Sequence, residues 1–164
     1  MSIHPKNRKS TGNRSLKTIG WKESVDFIEL GIQDIPAKID TGAKTSVLHC
    51  KYIELVKIGR KSYVKFVPLD EKYVSHSQAF TLPFHKERKV KNSFGSEENR
   101  FIIKTNIRLF NESFEIEISL RDRSDMEYPV LLGRSFLRRK FLVDVSKANL
   151  SRNDNHKSPE ITVK

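Results

Sequence analysis

Ile39-Asp40-Thr41-Gly42-Ala43-Lys44-Thr45-Ser46-Val47-Leu48-His49 is the stretch on which the fold is decided. An apolar strand leaves a core, enters a tight turn of small residues and places one carboxylate at the tip. Gly42 lets the backbone approach closely, where a Cβ would interfere. Thr41, Thr45 and Ser46 supply hydroxyls that can satisfy buried neighbours, and the N–H groups of the turn can support the carboxylate. Asp-Thr-Gly by itself also suits an ordinary β-turn, and on the tripeptide alone that is the better reading.

Outward from this turn the chain reads as short strands. Val25 to Leu30, Ile35 to Ile39, Tyr63 to Val67, Arg100 to Leu109, Phe114 to Leu120, Val130 to Leu132 and Phe141 to Val145 are β-like, several with period-two alternation. Asn111-Glu112 marks a turn between two of them. Ser135 to Lys140 is the single helical turn expected, near the C-terminus. Strands spaced by turns, without the long helices a βαβ layout needs, predict an all-β barrel or sandwich. Residues 20–150 form the expected domain, between a loose basic tail (1–19) and a second tail (151–164).

The 164 residues suit one domain, and 37% apolar residues with ten Phe are enough for one core. No run of 18 apolar residues is present, so no membrane span is expected. The first twenty residues lack an apolar signal-peptide core, so a cytoplasmic chain is expected. Cys50 is the single cysteine, which excludes an intrachain disulfide. The net charge is +11, and the first 22 residues hold Lys6, Arg8, Lys9, Arg14, Lys17 and Lys22 with no acid. Such a tail reads as solvated, or as a loose, salt-sensitive contact to RNA or another acidic partner.

Val130-Leu131-Leu132-Gly133-Arg134 lies 90 residues beyond the turn, followed by the short helix and the strand from Phe141. Asp-Thr-Gly-Ala-x-Thr-Ser at a strand end, then two apolar residues with Gly-Arg before a helix, resembles the retropepsin-like aspartic proteases over about residues 20–150. Ile39 to His49, Val90 to Ser96 (VKNSFGS), Asp122 to Met126 (DRSDM), Leu131 to Leu137 (LLGRSFL) and Phe141 to Asp144 (FLVD) are similar to one bacterial family. That family is labelled "ATP-dependent zinc protease", and its members are often encoded near ATP-grasp ligases that add amino acids to a ribosomal protein.

The resemblance implies a closed retropepsin-like barrel and an aspartic endopeptidase. One chain holds half of the site, so it implies a homodimer in which Asp40 of each chain shares one proton across a twofold axis. Asp40, Thr41 and Gly42 would be catalytic. Ala43, with Lys91, Asn92, Ser93, Phe94 and Gly95 of a hairpin flap over Val90 to Arg100, would bind a peptide or protein substrate. Lys89 and Lys91 would favour an acidic peptide. Thr45, Ser46, Leu132, Gly133 and Arg134 would support the turn. A ligase or ribosomal protein is a possible partner.

Neither His-Glu-x-x-His nor Gly-x-x-x-x-Gly-Lys-Ser/Thr occurs, and His4, His49, His76, His85 and His156 lack a ligand spacing. No metal and no cofactor is therefore expected. His49 and Cys50 read as buried packing residues, Asp144 as structural, and Arg134 as an ion-pair partner of Asp122 or Asp125. A non-catalytic peptide-binding module on the same barrel, or a zinc-dependent peptidase, are the alternative functions.

Overall fold

The computed structural model describes residues 15–76, 78–91 and 94–155, the side chains of Lys91 and of residues 153–155 excepted. Eleven strands and two short helices follow in the order β1 (Lys17–Ile19), β2 (Lys22–Phe27), β3 (Ile32–Ile39), β4 (Ser46–Ile58), β5 (Lys61–Pro68), β6 (Phe80–Pro83), β7 (Lys86–Lys91), β8 (Glu97–Leu109), β9 (Glu112–Arg121), β10 (Val130–Leu132), α1 (Arg134–Leu137), β11 (Phe141–Val143) and α2 (Leu150–Asn155).

Six of the strands close on themselves. The ring runs β10-β3-β2-β8-β9-β4 and shuts through the β10–β4 pairing. A closed ring removes the unpaired edges that an open sheet would expose. Alternation decides which side chains point in: β2 buries Glu23, Val25 and Phe27 and turns the residues between them outward. Pro36 is tolerated within β3 because only β2 pairs at that point; β10 joins β3 from Ala37 onward. Phe110, Phe114, Phe136 and Phe141 fill one end of the core with ring contacts of 5.6–6.0 Å.

Two long strands leave the ring. β4 pairs with β9 and β10 over Ser46–His49, then with β5 out to Ile58. It bends at Tyr52, whose φ is +55° beside a register shift between Lys51 and Glu54. The stretch beyond Lys51 thereby becomes a β4-β5-β6 extension. β8 likewise runs past the ring to pair with β7.

Several details differ from the sequence reading. The turn between β8 and β9 is Phe110-Asn111, both at positive φ, one residue earlier than Asn111-Glu112. Phe110 accepts that conformation while stacking on Phe141. A second helix, α2, starts at Leu150 beside β2. Buried Glu23 accepts hydrogen bonds from the N–H groups of Gly20, Leu150 and Ser151 and from the Ser151 hydroxyl. β1 pairs in parallel with β11. These elements lie partly outside the 20–150 span read from the sequence, whereas residues 1–14 and 156–164 lie outside the described residues.

Candidate active site

The Asp40 turn joins β3 to β4 and rests on β10. β10 runs parallel to β3, with Leu132 opposite Ile39. The Asp40 N–H donates to the Leu132 carbonyl at 2.9 Å, and the Ala43 N–H returns to the Asp40 carbonyl at 3.2 Å. The Gly42 N–H donates to Asp40 Oδ1 at 3.0 Å, which fixes the carboxylate at the tip. Gly42 is glycine for proximity: a Cβ would stand 3.2 Å from that same oxygen. Asp40 is half-buried, and Thr41 and Gly42 are exposed.

Several backbone and hydroxyl contacts join the turn to the chain following β10. The Ser46 hydroxyl accepts from the Gly133 N–H at 3.0 Å, both groups being buried. The N–H groups of Arg134 and Ser135 donate to the carbonyls of Ala43 and Lys44 at 2.8 and 3.0 Å. Gly133 lies so close to the turn that a Cβ would sit 2.9 Å from the Ala43 carbonyl oxygen. Arg134 departs from its expected ion pair: its guanidinium donates to the Thr41 carbonyl at 3.0 Å. Asp122 instead accepts from the Ser124 N–H, and that bond above all holds its carboxyl below the usual range.

At the segment expected to form the flap, β7 pairs antiparallel with β8. Lys91 pairs with Glu97, Gly95 has φ +80°, and Phe94 is 92% exposed. Asn92 and Ser93 lie outside the described residues, as does the Lys91 side chain. Lys89 points outward, so period two turns Arg88 rather than Lys89 toward the turn. Arg88 donates to the Thr45 hydroxyl at 2.8 Å and ties the hairpin base to the Asp40 turn.

Between them lies a cavity of about 290 Å³. Ala43, Lys44 and Thr45 form one wall; Arg88, Arg100, Ser119 and Arg123 reach it from β7, β8, β9 and the following loop. Burial lowers the pKa of both Arg100 and Arg123, and Arg121 pushes each further down. Arg123 is a residue the sequence reading missed. Its signal lies inside Asp122 to Met126, where the two acids draw the eye as ion-pair partners.

His49 holds that loop. It is buried, and its Nδ1 accepts the Arg123 N–H at 2.7 Å. Nε2 therefore carries the proton and faces Asp70 Oδ2 at 3.3 Å without forming a hydrogen bond. Cys50 is buried too, which pushes its thiol pKa up. Among the described residues, no three His, Cys, Asp or Glu side chains gather as a metal site. Asp144 accepts from the backbone and hydroxyl of Ser146. Among the described residues, no helix is long and apolar enough to cross a membrane.

A family model described as "RimB-like: Retropepsin-like aspartic endopeptidase RimB" matches residues 18–154. A probable alpha-L-glutamate ligase of Desulfotalea psychrophila is 35% identical over 132 residues, covering 78% of this chain and 28% of that protein. One of Shewanella pealeana is 33% identical over 134 residues, covering 79% and 29%. The chain thus spans under a third of the length of these curated relatives. A crystal structure of a Legionella pneumophila protein with unknown function (DUF785) superposes with a TM-score of 0.69 at 25% identity, over 84% of this chain and 99% of that one.

Proposed function

The chain belongs to the RimB-like family of retropepsin-like aspartic endopeptidases, and from that premise we propose that it hydrolyses peptide bonds as a homodimer. The observation that carries this reading is the Asp40 turn, a carboxylate fixed by its own amide at an accessible tip and backed by β10. Two such carboxylates facing one another share one proton, because like charges about 3 Å apart do not both ionise. The ionised Asp40 takes a proton from water as the oxygen attacks the peptide carbonyl carbon. The protonated Asp40 of the partner subunit donates to the carbonyl oxygen. Collapse of the resulting gem-diol breaks the C–N bond, with a proton delivered to the leaving nitrogen. The β7-β8 hairpin lies on the substrate side, where an extended peptide gains backbone partners and loses water.

Cleavage of a mixed peptide library from about pH 4 to 8 tests this, in wild type, in Asp40→Asn and with chelator. Loss in the variant and indifference to chelator are expected. Undiminished cleavage by Asp40→Asn overturns the assignment, and loss in chelator alone moves the reading to a metallopeptidase.

The curated relatives favour a second reading. There the similar segment is under a third of a probable glutamate ligase, so the barrel would hold a peptide for a ligase, in the cytoplasm, without cutting it. Peptide binding by wild type and Asp40→Asn alike, with no cleavage by either, would establish that role.

A further inference from the structure

Residues 51–65 hold Lys51, Lys57, Arg60, Lys61 and Lys65 against one acid, Glu54. The rest of residues 23–150 carries as many acidic as basic side chains, so the net charge of that span stands on the β4-β5 ribbon. β6 pairs with β5 over Tyr63 to Phe66, and the ribbon runs on past it to a two-residue turn at Gly59-Arg60. Its two faces are unlike. Val64 and Phe66 are fully buried against the core. On the outer face the register sets Ile58 beside Lys61, Val56 beside Tyr63 and Glu54 beside Lys65, with Pro83 and Thr81 next in line on β6. Ile58 is 59% exposed, Lys61, Lys65 and Thr81 are exposed, and Tyr63 is half-buried. Among the described residues, no hydrogen bond or ion pair engages the side chains of Arg60, Lys61, Tyr63 or Lys65. Surface cations elsewhere do meet acids, as Lys86 meets Glu117 and Arg152 meets Asp34.

We propose that the outer face of the β4-β5 ribbon is a docking surface for single-stranded RNA. Lys61, Tyr63 and Lys65 follow one another on that face at intervals of about 7 Å, close to the repeat of an extended polynucleotide. Cation, ring and cation at this spacing answer phosphate, base and phosphate. The lysines neutralise phosphates, and the tyrosine ring gives a base a surface to stack on. Arg60 at the turn extends the same cationic line. A purely acidic peptide would engage the lysines and leave Tyr63, Val56 and Ile58 without a counterpart. The Tyr63 phenol and the Thr81 hydroxyl beside Lys65 favour ribose, whose 2′-hydroxyl distinguishes RNA from DNA. β4 carries this face away from the Asp40 turn, so a strand bound there leaves the carboxylate free.

Fluorescence anisotropy tests this with the full chain and a fluorescein-labelled, unstructured RNA dodecamer, beside the DNA of the same sequence, an RNA duplex and an acidic dodecapeptide. The single-stranded RNA should bind most tightly, with affinity falling as salt rises. Lys61→Gln combined with Lys65→Gln should weaken binding about tenfold and reduce the salt slope by about 1.4, the loss of two phosphate contacts on a single strand. Tyr63→Leu should weaken it about tenfold with the slope unchanged. Thermal midpoint and peptide cleavage should hold in the lysine variant. The N-terminal segment is also basic, so Lys6, Arg8, Lys9 and Arg14 are changed together to Gln in a second background, where the ribbon effects should persist. Should Tyr63→Leu fail to fold, the lysine pair decides. Absence of RNA binding, unchanged affinity in the ribbon variants, or effects that vanish in the second background overturns the surface. Equal affinity for the DNA overturns the RNA assignment, tighter binding of the duplex the single-strand assignment, and tighter binding of the acidic peptide the nucleic-acid reading itself.

Discussion

The two walls beside Asp40 are built on opposite terms. On the turn side, the polar groups answer one another: Asp40 with Gly42 and Leu132, Ser46 with Gly133, Arg134 with Thr41. On the hairpin side, Arg100, Ser119 and Arg123 keep buried atoms without partners. The first wall is finished in the free protein, as a positioned carboxylate requires. The second leaves buried polar atoms unanswered, at a cost in stability.

Substitutions on the two walls should therefore behave differently. The largest effect is expected at the tip, where Asp40→Asn should lower kcat by about a thousandfold or more in a peptide-cleavage assay. A residual rate near that of wild type would remove the carboxylate from the chemistry.

Next come the supports of the finished wall. Gly133→Ala forces a Cβ to 2.9 Å from the Ala43 carbonyl, and should cost about 1–3 kcal/mol in denaturant unfolding. Ser46→Ala strands the buried Gly133 N–H and should cost a similar amount, about 1–3 kcal/mol. Ser119→Ala is the matched change on the open wall. It removes a hydroxyl that has no partner, and should be neutral or stabilising by up to about 1 kcal/mol. Equal costs for Ser46→Ala and Ser119→Ala would erase the contrast.

The smallest effect concerns the foot of the hairpin. Glu117 accepts from Lys86 at 2.8 Å and contacts His85 at 2.9 Å, and the Lys86 bond above all lowers its pKa. A carboxyl lowered in the folded state adds stability above its unfolded pKa and loses it as pH falls through the folded value. The tie of β7 to β9 should accordingly weaken below about pH 4. Thermal midpoints measured against pH should show a shallower acid-side slope in Glu117→Gln. Because the pair is exposed, the difference should be small. A slope unchanged in that variant would detach the hairpin from this ion pair.

What the sequence made legible follows from where each element gets its order. Phe114 to Leu120 alternates because one face of β9 meets the core, and Val130 to Leu132 reads as buried because β10 has neighbours on both sides. The Asp40 turn and its Gly133 partner carried the site in plain view. β4 was harder. Ser46 to Cys50 is buried throughout, and the bulge at Tyr52 then breaks the alternation. β7 is nearly all charged and looks like solvated chain until β8 pairs with it. α2 is polar after Leu150, and the carboxylate that anchors it, Glu23, lies more than 120 residues earlier. Arg123 is buried by tertiary contacts alone, and no local spacing announces a guanidinium turned inward beside the Asp40 turn.

The central claim is that one active centre needs Asp40 from two chains. Wild type and Asp40→Asn subunits co-refolded at varied ratios, at fixed total protein, measure this directly through peptide cleavage. A shared dyad predicts activity falling as the square of the wild-type fraction, since a mixed pair has one aspartate. A linear fall would show that each chain works alone and would contradict the account.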